Sequence, residues 1–392
     1  MIGPAFLTAE TTDRARFVEP PRLSVIMPAH RGGPDLVAAL DAMLESDLDR
    51  SYWELIVAVD GDSMLMDGEQ AAVIAMEYAD VVVRLPGKAR GPSYVRNRAA
   101  EVARGDILVF VDSDVCVHPE TLRRFLDHFD REPEVSSIFG AYDDRPKAPG
   151  IVSKYRNLMH HYVHVTNSGP AETFWAGCGA IRSDAFHEVG GYDEWHFTSP
   201  QIEDIELGRR LRRRGHSIVL DGSIQACHLK HWTLGSAIMT DLKSRGVPWT
   251  RLILHEGPSP GASTLNISPR HRICVLLTAI AFGILPGILV FQALWPLIVS
   301  ALAILAIVLL NAGFFRLLWK TSGPRLAAAG VPLLVMFYFA SGLSAISGWL
   351  VYSLVGAPLP PVDVMAFEEV GVETWPPIPK RPKESVWYEH GV

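Results

Sequence analysis

Cysteine is scarce in this chain. There are four in 392 residues, Cys116, Cys178, Cys227 and Cys274, with no paired or metal-type spacing. That excludes a disulfide framework and a cysteine-built zinc site, so free thiols in a reducing compartment are the expectation. Basic charge is also short: 36 Lys and Arg stand against 43 Asp and Glu, a formal net charge of -7, which argues against nucleic acid as a partner. No G-x-G-x-x-G follows the first apolar run and no G-x-x-x-x-G-K-[ST] occurs, so dinucleotide and P-loop binding lose their motifs. The N-terminus has no basic segment leading into an apolar stretch, so no secretory signal is expected. Charge is missing altogether from residues 273–315 and from residues 326–362.

Those two stretches divide the chain. A membrane span needs about 20 apolar residues. The first stretch has room for two helices broken around Trp295-Pro296, and the second holds one, Val331–Val355. Arg270 and Arg272 precede the first span, and Arg316, Lys320 and Arg325 lie between the second and third. Three spans put both basic clusters on one side, the cytoplasmic one by the positive-inside rule. The expectation is a multi-pass protein of the cell (inner or plasma) membrane whose N-terminal domain is cytoplasmic. Leu234–Leu254, with Trp249 and a Gly246-Val-Pro248 break, reads as interfacial helices against the bilayer. The tail Asp363–Val392 is Pro-rich, mixed in charge and expected to be irregular. The resulting division is an N-terminal extension (1–21), an α/β domain (22–233), interfacial helices (234–270), about three transmembrane helices (271–356) and a tail (357–392).

The α/β assignment comes from alternation. Leu23–Met27, Leu55–Val59, Val81–Val83 and Ile107–Val111 are short apolar runs, separated by helix-like stretches at Asp35–Leu44, Glu69–Tyr78 and Tyr94–Ala103. Apolar strand, helix, apolar strand argues for a mostly parallel sheet with flanking helices, its ligands bound at the carboxyl ends of the strands. Asp112-Ser113-Asp114 stands directly after Ile107–Val111. Two carboxylates one residue apart at a strand exit suit Mg²⁺ or Mn²⁺, which take oxygen ligands together with substrate phosphates. Alone the pair is weak evidence, since solvated loops after strands often carry it.

Further segments make the pattern specific. In order along the chain come LSVIMPAHRG (Leu23–Gly32), VAVDGDS (Val57–Ser63), GPSYVRNRAAEVARG (Gly91–Gly105), VFVDSDV (Val109–Val115), WAGCGAIRSDAFHEVGGYDE (Trp175–Glu194) and EDIELGRRLRRRG (Glu203–Gly215). Residues 22–235 thereby resemble the family 2 glycosyltransferases. The resemblance implies a GT-A fold, a nucleotide-diphosphate sugar donor, a divalent metal and inversion at the anomeric carbon. It implies a nucleobase pocket at Pro28 and His30, a base-binding role for Asp60, and Lys88 and Arg96 facing the diphosphate. The family's two adjacent acids are split here into Asp60-Gly-Asp62, which leaves Asp62 without a role. By the same resemblance Asp112 contacts the nucleotide and the metal, Asp114 holds the metal directly, and His228 is a late metal ligand. Asp204 would be the general base and Glu203 would orient the acceptor. Trp175, Gly177, Gly190, Gly191, Asp193, Lys230 and Trp232 would line the sugar and acceptor side.

Plainer readings stand beside these. Arg96, Arg98 and Arg104 are compatible with a solvated helix face, Glu203 and Asp204 with ordinary first-turn acids favoured by the helix dipole, and residues 227–232 with a polar loop. Arg209, Arg210 and Arg212–Arg214 are either a solvated face or a contact to anionic headgroups. The leading expectation is a membrane-anchored transferase moving one sugar onto a lipid, lipid-linked or cell-envelope acceptor. A processive polysaccharide synthase is the alternative, although no Gln-x-x-Arg-Trp follows Asp204. An inactive membrane scaffold would be expected to lack the acids that are present here.

Overall fold

Strands that read as unbroken apolar runs must be buried on both faces, and the computed structural model shows how. It describes residues 8–12, 19–61, 66–85, 87–257 and 268–357. These form two compact units: residues up to 142 with 167–229, and residues 143–166 with 230–357.

In the first unit the strands are β1 (Thr8–Thr11), β2 (Leu23–Ala29), β3 (Trp53–Asp60), β4 (Val81–Leu85), β5 (Ile107–Val111), β6 (Val115–Val117), β7 (Val135–Tyr142), β8 (Gly169–Pro170), β9 (Cys178–Arg182) and β10 (Ser217–His228). Its helices are α1 (Pro34–Leu44), α2 (Met66–Tyr78), α3 (Pro92–Val102), α4 (Thr121–Arg131), α6 (Ser183–Glu188) and α7 (Glu203–Arg213); α5 belongs to the second unit. The sheet runs β1-β4-β3-β2-β5-β9-β7-β10-β6, with β8 beside β10. Strands β4, β3, β2 and β5 are mutually parallel, as expected. Beyond them the sheet is mixed: β9 is antiparallel to both β5 and β7, and β10 is parallel to β7. Alternate side chains divide the core. Val25, Met27, Leu55, Val57 and Val109 pack with Leu36, Leu40, Phe125 and Phe129 on one face. Ile26, Ile56, Leu108 and Phe110 pack with Val95, Ala99, Phe186, Leu207 and Leu211 on the other.

The second unit contains α5 (Ile151–Thr166), α8 (Leu234–Met239), a π-helical turn (Thr240–Gly246), α9 (Val247–Glu256), α10 (Pro269–Gly283), α11 (Gly287–Phe291), α12 (Trp295–Leu310) and α13 (Ala312–Val355). Its core joins Tyr155, Leu158 and Met159 of α5 to Cys274, Ile307, Phe314, Leu318, Leu326 and Leu334. The break expected at Gly246-Val-Pro248 is absent. Pro248 has no N–H and its ring crowds the carbonyl one turn back, and the chain answers with the π turn just before it, so that helix continues from Leu234 to Glu256.

The three-span expectation is not supported. Among the described residues one helix, Ala312–Val355, is long and apolar enough to cross a membrane. The first charge-free stretch yields α10 and α12, of 15 and 16 residues. At 1.5 Å per residue each is about 24 Å or less, short of a hydrocarbon core of about 30 Å. Pro286 and a left-handed Gln292 lie between them. Within α13 Gly323 leaves helical geometry at φ 80°, followed by Pro324, so the 44 residues bend there. Leu289, Ile298, Leu302, Leu309, Trp319 and Leu354 are exposed, and large exposed apolar patches mark interaction surfaces.

Candidate active site

The carboxyl ends of the parallel strands gather most of the residues singled out above. β5 ends at Val111, and the chain turns through Asp112 and Asp114 into β6, which pairs with the end of β10 so that Val115 lies opposite His228. This brings His228 Nε2 to 3.5 Å from Asp114 Oδ2. The imidazole is buried and stacks flat on Tyr142, ring centroids 4.4 Å apart. Trp175 meets the same tyrosine edge-on at 4.7 Å, and its indole lies where a Cβ on Gly177 would sit, 2.4 Å from Cζ2. Gly177→Ala should therefore displace the Trp175 ring. Near-ultraviolet circular dichroism and tryptophan emission should change while far-ultraviolet signal does not.

Arg96 is the hub. It lies on α3, 4 % exposed, and donates through Nη2 to Asp112 Oδ1 at 2.6 Å and through Nη1 to Glu203 Oε1 at 3.4 Å. Burial opposes its charge, yet Asp112, Tyr192 and Glu203 hold its pKa above the ordinary guanidinium value. One cation thus ties the exit of β5 to the start of α7. Glu203 is turned inward, its Oε2 also accepting from the Gln201 N–H at 2.7 Å. Asp204 beside it is half-buried, with Oδ1 accepting from the Ile205 N–H at 2.8 Å.

Arg96, Asn97 and Arg98 are all buried, which excludes the solvated-face reading for this part of α3. Asn97 donates to Tyr192 O and Glu194 Oε2 and accepts from the Tyr192 N–H. Arg98 donates to Glu194 Oε1 at 2.8 Å. Together they clamp the loop at Gly190 and Gly191, both at positive φ (81° and 71°). A Cβ on Gly191 would meet Asn97 Oδ1 at 2.7 Å. Arg98→Ala strands a fully buried carboxylate, a change that costs about 3–5 kcal/mol; urea unfolding of the α/β unit should show a loss of that order. Asp193 is fully buried and committed to its own turn, accepting from the Trp195 and His196 N–H groups and from His196 Nδ1 at 2.7 Å. Burial pushes its pKa up, but the His196 bonds outweigh this and hold it below the usual value. Its position is that of a turn-former, not of a hydroxyl-binding group.

Of the residues expected at a nucleobase pocket, Pro28 lies near the end of β2 in register with Ala58, and His30 is exposed with Nδ1 2.9 Å from Asp60 O. The Asp60 carboxylate accepts from the backbone N–H groups of Arg90 and Gly91 at 2.8–3.1 Å and so shapes the loop entering α3. Burial raises its pKa against the pull of those amides and His30. Lys88 is exposed on this loop. Asp62 lies outside the described residues. Lys230 and Trp232 fall in the second unit, where Trp232 is buried and its ring faces Lys230 Nζ at 4.7 Å and Arg156 at 5.1 Å.

In the basic run, Arg209 and Arg210 are buried, and Arg210 grips Glu206 through two bonds at 2.6 and 2.7 Å, so neither reaches a headgroup. All four cysteines are free and buried, and burial pushes Cys178 up to about 12. Sequence reasoning missed Tyr142 and Asn97. The polar triplet Arg96-Asn-Arg98 amid apolar helical positions was the available signal for Asn97; Tyr142 carried none.

Among the described residues no group of three or more His, Cys, Asp and Glu is arranged to hold a metal. Asp114 and His228 do converge, and an oxygen with an imidazole suits Mn²⁺ better than Mg²⁺; a cation there would draw its other ligands from substrate phosphate and water.

The chain is similar to known proteins. The sequence profile of glycosyl transferase family 2 matches residues 24–190. A glucosyl-dolichyl phosphate glucuronosyltransferase of Haloferax volcanii is 26 % identical over 163 residues, 38 % of this chain and 50 % of that protein. The glycosyltransferase AglE of the same organism is 28 % identical over 217 residues, covering 53 % and 67 %. The chain spans about half the length of the first of these relatives. Among solved structures, the mannosyltransferase PcManGT of Pyrobaculum calidifontis, in complex with GDP-Man and Mn²⁺, aligns over 85 % of this chain and 87 % of its own at 17 % identity and a TM-score of 0.44.

Proposed function

Because residues 24–190 belong to glycosyl transferase family 2, we propose that this chain transfers one sugar, with inversion, from a nucleotide-diphosphate sugar to a lipid or lipid-linked acceptor at a membrane. The observation that carries this reading is the double engagement of Arg96. It sets an acid suited to the donor, Asp112, and the helix bearing Asp204 around a single guanidinium. Asp204 takes the proton from the acceptor hydroxyl, the freed oxygen forms its bond to the anomeric carbon, and the nucleotide diphosphate leaves with the electron pair of the broken bond. Glu203 holds the start of α7 against Arg96. Asp112 orients the nucleotide, with Pro28, His30, Asp60 and Lys88 around it. Asp114 and His228 would hold Mn²⁺ or Mg²⁺, which when bound neutralises the diphosphate and makes it a better leaving group. Trp175, Gly177, Gly190 and Gly191 shape the sugar and acceptor side. The relative named for a dolichyl phosphate substrate supports the lipid acceptor, as does the exposed apolar surface of the second unit. Confinement beside the bilayer raises the effective concentration of such an acceptor.

The test is to incubate the protein in membranes with a panel of nucleotide sugars and to measure released nucleotide diphosphate. One donor should be turned over when membrane lipid is present. No release from any donor, with Mn²⁺ and Mg²⁺ supplied, would overturn the reading.

Membrane placement has its own test. Arg316, Lys320 and Arg325 are exposed around the Gly323 bend, and positive charge marks the cytoplasmic side. Because the four native cysteines are buried, a Ser322→Cys variant gives a clean label. A membrane-impermeant maleimide should react in inverted vesicles and not in intact cells; reaction in intact cells would reverse the orientation.

A further inference from the structure

The second half of α13 is apolar, yet the helix beside it is not. Ser344 Oγ donates to Asp241 O at 3.4 Å, and a Cβ on Gly348 would meet Thr250 at 2.6 Å. Tyr352 Oη stands 3.4 Å from His255 Nδ1, and Arg251 donates to Gly356 O at 3.0 Å. Residues 240–256, the π turn and α9, therefore run alongside α13. They carry Asp241, Lys243, Arg245, Arg251 and Glu256, and Lys243 is exposed. The other face of α13 presents Phe339, Leu343, Ile346, Leu350 and Leu354, all exposed and spaced three or four residues apart. In an upright span, Ser344 would lie about 6 Å from the middle of the charge-free stretch 326–355. Its neighbours Asp241 and Lys243 would share that depth, where an exposed lysine is costly. The direction of α10 disagrees with an upright bundle as well. His271, Val275 and Phe282 cover about 16 Å of helix, but their partners all fall within residues 337–342 of α13. α10 thus crosses α13 steeply, whereas membrane spans usually cross at about 20–40°.

We infer that the second unit is embedded in a single leaflet of a bilayer, with the second half of α13 lying along the membrane plane and not across it. The stripe from Phe339 to Leu354 enters the acyl layer, and residues 240–256 stay at the headgroups. The tip between α10 and α12 enters with the stripe, since Phe282 at its root meets Phe339 with ring centroids 5.4 Å apart. Leu289, Val290, Phe291 and Leu294 are exposed on this tip. Its backbone tolerates hydrocarbon, which requires polar groups to be satisfied internally. Ile284, Leu285, Gly287, Ile288, Leu289 and Val290 donate their N–H groups to carbonyls of α10 and the tip, and Pro286 has none to satisfy. Residues 234–357 hold eight Lys and Arg against two acids, a balance that suits anionic headgroups at the surface of entry. The inference rests on the membrane placement in the proposed function and is independent of the transfer chemistry.

The test uses the full-length protein in sealed membrane vesicles and reads sidedness twice. The native cysteines are buried, so Lys243→Cys and Leu343→Cys each give a single site for a membrane-impermeant maleimide. These two positions share one height along α13 but lie on opposite sides of it. Lys243→Cys should react from the side on which Ser322→Cys reacts, and Leu343→Cys should react only after detergent is added. An epitope fused after Val392 should be digested by protease from that same side, because a helix lying in one leaflet returns the chain to the surface it left. An epitope protected until detergent is added, or shielding of Lys243→Cys equal to that of Leu343→Cys, would show that α13 crosses the bilayer and would overturn the placement, with the transferase reading untouched. Recovery of the protein in the soluble fraction would remove the membrane from both. Same-side labelling in a protein that turns over no nucleotide sugar would support the placement and remove the transferase reading instead.

Discussion

Asp204→Asn should lower turnover by at least about 100-fold, since a positioned general base contributes about 10²–10⁴-fold, while nucleotide-sugar affinity stays within about 1 kcal/mol. The reason is geometric. Asp204 is half-buried in the first turn of α7, whereas its neighbour Glu203 points inward to Arg96 and the Gln201 N–H. A proton acceptor has to be reachable by the attacking hydroxyl, and of the two acids Asp204 is the more open. Loss of an interaction made only in the transition state appears in kcat and not in donor binding. Glu203→Gln keeps the Gln201 bond and leaves Arg96 its stronger contact at 2.6 Å with Asp112, so its effect should be within about tenfold, an ordinary hydrogen bond's worth. Rapid-quench turnover and calorimetric titration with donor and metal measure the two quantities. A dead Glu203→Gln beside a nearly normal Asp204→Asn would reverse the assignment.

Removal of the metal should have an effect as large. Chelation is expected to abolish transfer, with Mn²⁺ or Mg²⁺ restoring it, because the Lewis-acid role carries several kcal/mol of barrier, about 100-fold or more in rate. Asp114→Asn should reproduce that loss in a folded protein. The Asp114 side chain is 32 % exposed, and the contact that fixes the turn is its backbone carbonyl, which accepts from the Leu229 N–H at 2.8 Å and survives the substitution. His228→Gln should shift the metal concentration needed for half-maximal rate. Undiminished activity in excess chelator would remove Asp114 and His228 from a metal role.

The sequence made the first half of the sheet legible because β2, β3, β4 and β5 are buried on both faces, and such strands show as continuous apolar runs with acids at their ends. Asp60, Asp112 and Asp114 could be found for that reason. Strand direction beyond β5 could not. Cys178–Arg182 reads the same whether it runs with or against its neighbours, and it lies antiparallel between β5 and β7. Arg96 was found, but its burial against Asp112 and Glu203 depends on residues 16 and 107 positions away in the chain. Composition alone made the charge-free stretches look like three spans. Pro286 and the short lengths of α10 and α12 leave one helix of spanning length among the described residues, since span length depends on where a helix stops as well as on which residues it contains.

The passage of the chain between its units has a practical consequence for truncation. It enters the second unit at residue 143, returns at 167 and leaves again at 230. A soluble fragment ending before the apolar helices would still carry α5, with Tyr155, Leu158 and Met159 deprived of Phe314, Leu318 and Leu334. At about 25 cal/mol for each Å² of newly wetted apolar surface, that helix becomes an aggregation seed inside an otherwise well-packed α/β unit. Excision of 143–166 with a short bridge from Tyr142 to Asn167, not shortening from the C-terminus alone, is the cut that follows the protein's own seams.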